Sequence, residues 1–310
     1  MDLDFPTLFH RAVRIVPMFR ETHALKGVLA LRHLKTRFPH WKESDLASLK
    51  DWPGFLGDPH TNALFHSGIS PLESVPPEKA RHRMETGLFP LAYTAAASWE
   101  RSEGLETMVM AYRERAVRGI EDLGHSWSIW CSFVEALPDL RDAETRQFAA
   151  ERFAEFVGQQ FRKDPANRPL SPAPSPPEVP GAVDPAGLLD LCLERPGFLG
   201  HHLLALGTLH RFRHLLDAPL WNLGLSRIRA MASLRWNRPA FDVRLPEEPI
   251  PRTSPEEHDL EVSVRDFLLR GTREVHVLTV ADIACALWDV AEERQRHRLL
   301  RYLGSPSVFR

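Results

Sequence analysis

An all-α fold is what this chain predicts. Three observations predict it: apolar residues recur at spacings of three and four through most of the 310 residues, strand-like alternation is scarce, and prolines gather in a few stretches suited to connecting helices. From Phe9 to Leu34 the apolar positions Val13, Val16, Phe19, Leu25, Val28, Leu29 and Leu31 follow the helical period. The same spacing runs from Gly187 to Leu216 and from Val275 to Leu303. The clearest alternating run, Phe241-Asp242-Val243-Arg244-Leu245, is short. Eight prolines lie between Pro165 and Pro185, where no helix interior tolerates them. Further Pro-rich loops are expected over Pro239–Pro255 and Pro71–Pro77. Ser44 before Asp45, and Ser254-Pro255-Glu256-Glu257, have the chemistry of helix starts.

An internal repeat organises this pattern. Pro-Gly-Phe-Leu-Gly occurs at Pro53–Gly57 and again at Pro196–Gly200, each copy followed within three residues by a histidine. With one gap, His60 falls on His202 and Ala63 on Ala205. Downstream, His125 and His276 each head an apolar stretch that later turns charged. The expectation is one large helical domain of two pseudo-repeated halves, 1–164 and 187–310, joined by a Pro-rich linker or loop over 165–186.

Composition excludes several classes. A net charge of −2 without a basic stripe argues against a protein that neutralises nucleic-acid phosphates. Arg294, Arg296, Arg298 and Arg301 alternate with Glu292, Glu293, Leu299 and Leu300, as on the solvated face of a terminal helix. The widely spaced Cys131, Cys192 and Cys285 read as small buried hydrophobes in a reducing compartment, not as a disulfide framework or a zinc knuckle. The acidic start and the lack of a long uncharged apolar run predict a cytoplasmic protein without a membrane span. No Gly-x-Gly-x-x-Gly, Walker loop, Gly-x-Ser-x-Gly or His-Glu-x-x-His is present.

The chemistry therefore rests on histidine. The chain has 15. His33, His40, His82, His210, His214, His258 and His297 sit among charged residues and read as surface. His202 shares a helical stripe with Leu206 and Leu209, His276 with Val280 and Ile283, and His125 with Ile129 and Ser132, while His60 follows the turn Asp58-Pro59. A buried imidazole needs a hydrogen-bond partner or a metal, so a core histidine bonded to a carbonyl is the competing reading at each position. His60, His125, His202 and His276 are the candidate metal ligands, two from each half, with His23, His66 and His201 as possible replacements. Four imidazoles suit a borderline divalent ion such as iron, zinc, copper or nickel. Trp127, Trp130, Phe133, Phe198, Trp221 and Trp288 are expected in the core, with some lining an apolar pocket.

These His-led segments, Gly200-His201-His202-Leu203-Leu204-Ala205-Leu206 and Glu274-Val275-His276-Val277-Leu278, together with two histidines per half, resemble the questin-oxidase-like family. That family consists of helical non-haem iron oxygenases acting on polycyclic aromatic polyketides. The resemblance implies iron held by His60, His125, His202 and His276, with dioxygen and an apolar small-molecule substrate sharing a cavity. Family members can add a modified lysine one turn after the last histidine; here Thr279 and Val280 occupy that turn, leaving the fifth position to water, to a carboxylate such as Asp282, or to nothing. The chain is also short for the family. A helical binding protein without catalysis, and a zinc-type hydrolase or isomerase, are the alternatives.

Overall fold

A computed structural model describes residues 4–14, 23–42, 74–121, 123–161, 183–234, 253–270 and 275–305. Among them every regular element is helical, as the periodicity predicts. The 241–245 alternation, the first Pro-Gly-Phe-Leu-Gly copy, His60, His66, the Ser44 cap and nearly all of the Pro-rich 165–186 segment lie outside the described residues. The two-halves repeat is accordingly not established.

The chain divides into two compact units, each assembled from several segments. Unit 1 comprises Met1–Arg32, Trp41–Ala116 and Ile129–Ser171; unit 2 comprises His33–His40, Val117–Ser128 and Pro172–Arg310. The division passes through α2 (Ala24–Arg37), α6 (Arg113–Arg118) and α7 (His125–Ala136).

Unit 1 holds α1 (Phe5–Arg14), α3 (Pro77–Thr86), α4 (Leu91–Glu103), α5 (Leu105–Met110) and α8 (Ala143–Gln160). α3 and α4 pack on each other and both pack on α8. Asp142 caps α8 by accepting from the Thr145 amide at 2.8 Å. An aromatic cluster fills the core: Phe133 meets Phe153 at 5.1 Å between centroids, and Tyr112 stacks on Phe161 at 5.5 Å. α8 is buried on nearly every face from Phe148 to Gly158, so its charged residues Glu151, Arg152 and Glu155 are drawn into the core with it.

Unit 2 holds α9 (Pro185–Glu194), α10 (His201–Arg211), α11 (Ala218–Ser233), α12 (Glu257–Arg270), α13 (Val275–Val290) and α14 (Glu293–Gly304). The periodic run from Gly187 to Leu216 is broken by Pro196 and by positive φ at Gly197, Leu199 and Gly200, so α9 ends and α10 starts afresh. α10 and α13 pack tightly at Gly207, where a Cβ would come within 2.2 Å of Ile283 Cγ2. Asp184 and Asp217 cap α9 and α11. α12 starts two residues later than its Ser-Pro signal suggests, with the Glu256 amide donating to Asp259 at 2.8 Å. Cys131, Cys192 and Cys285 are buried, as the sequence reading expects. His297 is a correction: it is buried, not on the surface, because α14 turns that face towards the core. No helix among the described residues is long and apolar enough to cross a membrane.

Candidate metal centre

Three helices begin at the same place, and each carries a histidine of unit 2 within its first two residues. His125 is the first residue of α7, His201 the first of α10, and His276 the second of α13. All three are buried, at 3%, 2% and 8% exposure, so their rings are answered inside the protein and not by bulk water.

The ring centroids of His125 and His201 are 4.8 Å apart, those of His201 and His276 4.9 Å, and those of His125 and His276 6.3 Å. His125 Nε2 and His201 Nε2 stand 3.1 Å apart. A ring nitrogen of His276 lies within 4.8 Å of one of His125. His125 and His276 thus belong to a group of histidine nitrogens close enough together to hold a metal ion, and the ring of His201 flanks both.

The Pro-Gly-Phe-Leu-Gly turn presents His201. Its left-handed residues fold the backbone so that the Phe198 carbonyl accepts a hydrogen bond from His201 Nδ1, and the Phe198 ring stacks on the imidazole at 5.9 Å and 5°. With the proton on Nδ1, the lone pair of His201 sits on Nε2, the nitrogen facing His125. Metal-binding histidines are oriented in this way, by giving the remaining ring N–H to a carbonyl.

No family model, no curated protein and no solved structure matches the chain. The site's reading rests on its own geometry.

Of the four histidines expected as ligands, the structure brings His125 and His276 together. His60 lies outside the described residues. His202 is turned elsewhere: its Nδ1 donates to the Arg195 carbonyl at 2.5 Å, and its ring lies where a Cβ on Gly197 would be, 2.8 Å from Nε2. Burial pulls its pKa down to about 4, so it is an uncharged core imidazole. Its neighbour His201 takes the place in the cluster. One residue of helix is about 100° of rotation, and apolar spacing does not fix phase that finely where a helix is buried on both faces. His23, the other alternative, is a half-buried residue of unit 1 immediately before α2.

Two features had no motif to reveal them. Tyr302 on α14 places its hydroxyl against Gly200, the residue before His201, with no hydrogen-bond partner among the described residues; burial raises its pKa and keeps it a phenol. Asp282, offered above as a fifth ligand, instead pairs with Arg211 through two 2.7 Å bonds, and with His33. Despite its burial, Arg211 and His33 bring its pKa down to about 2.

Proposed function

We propose that the protein is a histidine-ligated, non-haem iron oxygenase acting with dioxygen on an apolar, aromatic or polyketide-like small molecule in the cytoplasm. The observation that carries this reading is the buried His125–His201–His276 cluster, with the His201 tautomer set by a backbone carbonyl. Two imidazoles bound side by side at about 2.0–2.1 Å from one ion have their nitrogens about 3.0–3.4 Å apart. The 3.1 Å between His125 and His201 fits that separation, and His276 offers a ring nitrogen within 4.8 Å of one of His125. Borderline divalent ions favour imidazole donors, and zinc would satisfy the same ligand set.

Bound here, iron would supply the redox chemistry that dioxygen activation requires. The chain's own part is to hold the donors. Phe198 fixes His201 in orientation and protonation, the close α10–α13 contact at Gly207 fixes the spacing of two ligands, and the buried first turns of the helices keep bulk water away. Three helix N-termini lie at the cluster, and their partial positive charge opposes a bare cation but favours an anionic group on it.

One observation favours a second reading. His125 and His201 at 3.1 Å also fit a plain imidazole–imidazole hydrogen bond, as in a helical binding protein without a metal. Elemental analysis of freshly purified protein separates the two. The oxygenase reading expects near-stoichiometric iron that is lost in His201→Ala and His276→Ala and kept in His202→Ala. Metal-free wild-type protein would overturn it, and zinc in place of iron would shift it to a hydrolase or isomerase.

A further inference from the structure

Tyr302 carries a polar atom that the rest of the fold leaves unanswered. Its side chain is fully buried, and its hydroxyl has no hydrogen-bond partner among the described residues. The ring is held in place: α14 packs on α9, α12 and α13, and Phe267 of α12 lies beside the phenol at 6.4 Å between centroids. A buried hydroxyl left unanswered opposes folding, and phenylalanine would fill the same space without that penalty. The natural complement of such a group is an acceptor brought by a guest.

The hydroxyl stands at the margin of the histidine cluster. A Cβ on Gly200 would overlap the Tyr302 oxygen, and Val280 Cγ2 stands 3.0 Å from the same point. Gly200 is bonded to His201, and Val280 lies one turn beyond His276 on the same face of α13. One phenol thus approaches the backbone next to one histidine and the helical row that carries another. A glycine permits this approach, and its φ of +74° is left-handed. The donors of the turn are committed elsewhere. The Gly200 amide donates to the Gly197 carbonyl at 3.2 Å, the His202 amide to the Pro196 carbonyl at 3.1 Å, and His201 Nδ1 to the Phe198 carbonyl. Burial keeps Tyr302 protonated, so its hydroxyl is able to donate.

We propose that Tyr302 binds the non-protein ligand of the histidine centre, a small anion that rests on the ion and accepts a hydrogen bond from the phenol hydroxyl. The inference rests on the metal-bearing reading of the His125–His201–His276 cluster and adds to it the residue that recognises what the ion carries. An anion fits this place better than a neutral guest. Three helix starts meet here, and their partial positive charge favours negative charge on the ion. A hydroxyl bonded to such a charge makes a short, directional contact, and one already fixed by packing needs no reorganisation when the anion arrives.

The test uses azide, a small anion that accepts hydrogen bonds and donates none, with the full-length protein carrying the metal found on purification. The antisymmetric stretch of bound azide, read by infrared difference spectroscopy, responds to a hydrogen bond on the anion. In wild type the band should move between light and heavy water. In Tyr302→Phe it should lie elsewhere and ignore that exchange, with azide affinity about tenfold weaker, the loss of one hydrogen bond, and metal content unchanged. Tyr112→Phe, which removes from unit 1 a fully buried hydroxyl that likewise has no partner among the described residues, should match wild type. Metal-free wild-type protein would overturn the oxygenase reading and this proposal with it. Metal-bearing protein overturns the proposal alone if it takes up no azide, if its azide band ignores both the exchange and the Tyr302→Phe substitution, if Tyr302→Phe loses its metal, or if Tyr112→Phe has the same effect.

Discussion

Each unit buries a polar cluster, and the two are built on opposite principles. In unit 1, Arg152 Nε lies 2.9 Å from Glu155 Oε2 and Nη2 lies 3.7 Å from Glu151 Oε2, with the Tyr93 hydroxyl donating to the other oxygen of Glu155. Arg152 and Glu151 are fully buried. Charge there is answered by charge, although the nitrogens of Arg152 make no hydrogen bond of good geometry among the described residues. In unit 2, imidazoles gather at three helix starts with a ring nitrogen of His201 aimed at one of His125. Such a meeting of nitrogens is stabilised by a proton or a cation between them. A buried ion pair answers charge with charge from the chain itself, while a converging set of lone pairs invites a ligand.

The sharpest way to break the unit 1 half of that contrast is Arg152→Leu. Removing one partner leaves two carboxylates in the core, which costs about 3–5 kcal/mol. Urea unfolding should show that loss as a lower midpoint with an unchanged slope; a loss under about 1 kcal/mol, the scale of an exposed pair, would show that the guanidinium does not balance buried charge.

A smaller effect comes from the proton on Glu155. Burial raises its pKa from 4.5 to about 7, outweighing Arg152 and the Tyr93 hydrogen bond, which pull the other way. The folded state then holds a proton that the unfolded chain releases near 4.5. This contribution to stability is complete below that pH and is lost as pH rises through about 7. The swing is about 3 kcal/mol, because each tenfold gain in proton affinity on folding contributes about 1.4 kcal/mol. Glu155→Gln, which keeps the shape without the titration, should flatten stability between about pH 5 and pH 8. An identical slope in wild type and variant would assign the dependence to another group.

The contrast also explains what could be read from the sequence. The helical class was legible because the period of 3.6 survives in α2, α10 and α13. His125 and His276 were legible because each heads an apolar run, and such a head becomes a helix start. The choice between His201 and His202 was not legible because α10 is buried from His201 to Leu209, so no solvent face fixes its phase. The Glu151–Arg152–Glu155 cluster was invisible for a related reason: along α8 these residues have the spacing of a solvated charged face, and tertiary packing buries them. His33 read as surface because its sequence neighbours are charged, yet its partners Arg211 and Asp282 come from distant helices.

The unit 2 half of the contrast can be sharpened at Gly124, which leads into α7. Its φ is +70°, following Leu123 at +53°, and its carbonyl accepts from the Ser128 amide at 2.9 Å. A Cβ there would lie 2.7 Å from Ala205 Cβ, which is tied to the α10 backbone and cannot rotate away. Gly124→Ala therefore combines a left-handed alanine with an overlap that only a shift of α7 from α10 relieves, costing about 2–3 kcal/mol. That shift would separate His125 from His201. On the proposed oxygenase reading, iron content should therefore fall in Gly124→Ala although none of the proposed ligands has been removed. A comparable destabilisation placed elsewhere in unit 2, by Leu260→Ala in the core of α12, should leave iron content intact in the folded fraction. If both variants lose iron equally, binding follows global stability and not the spacing of the two histidines.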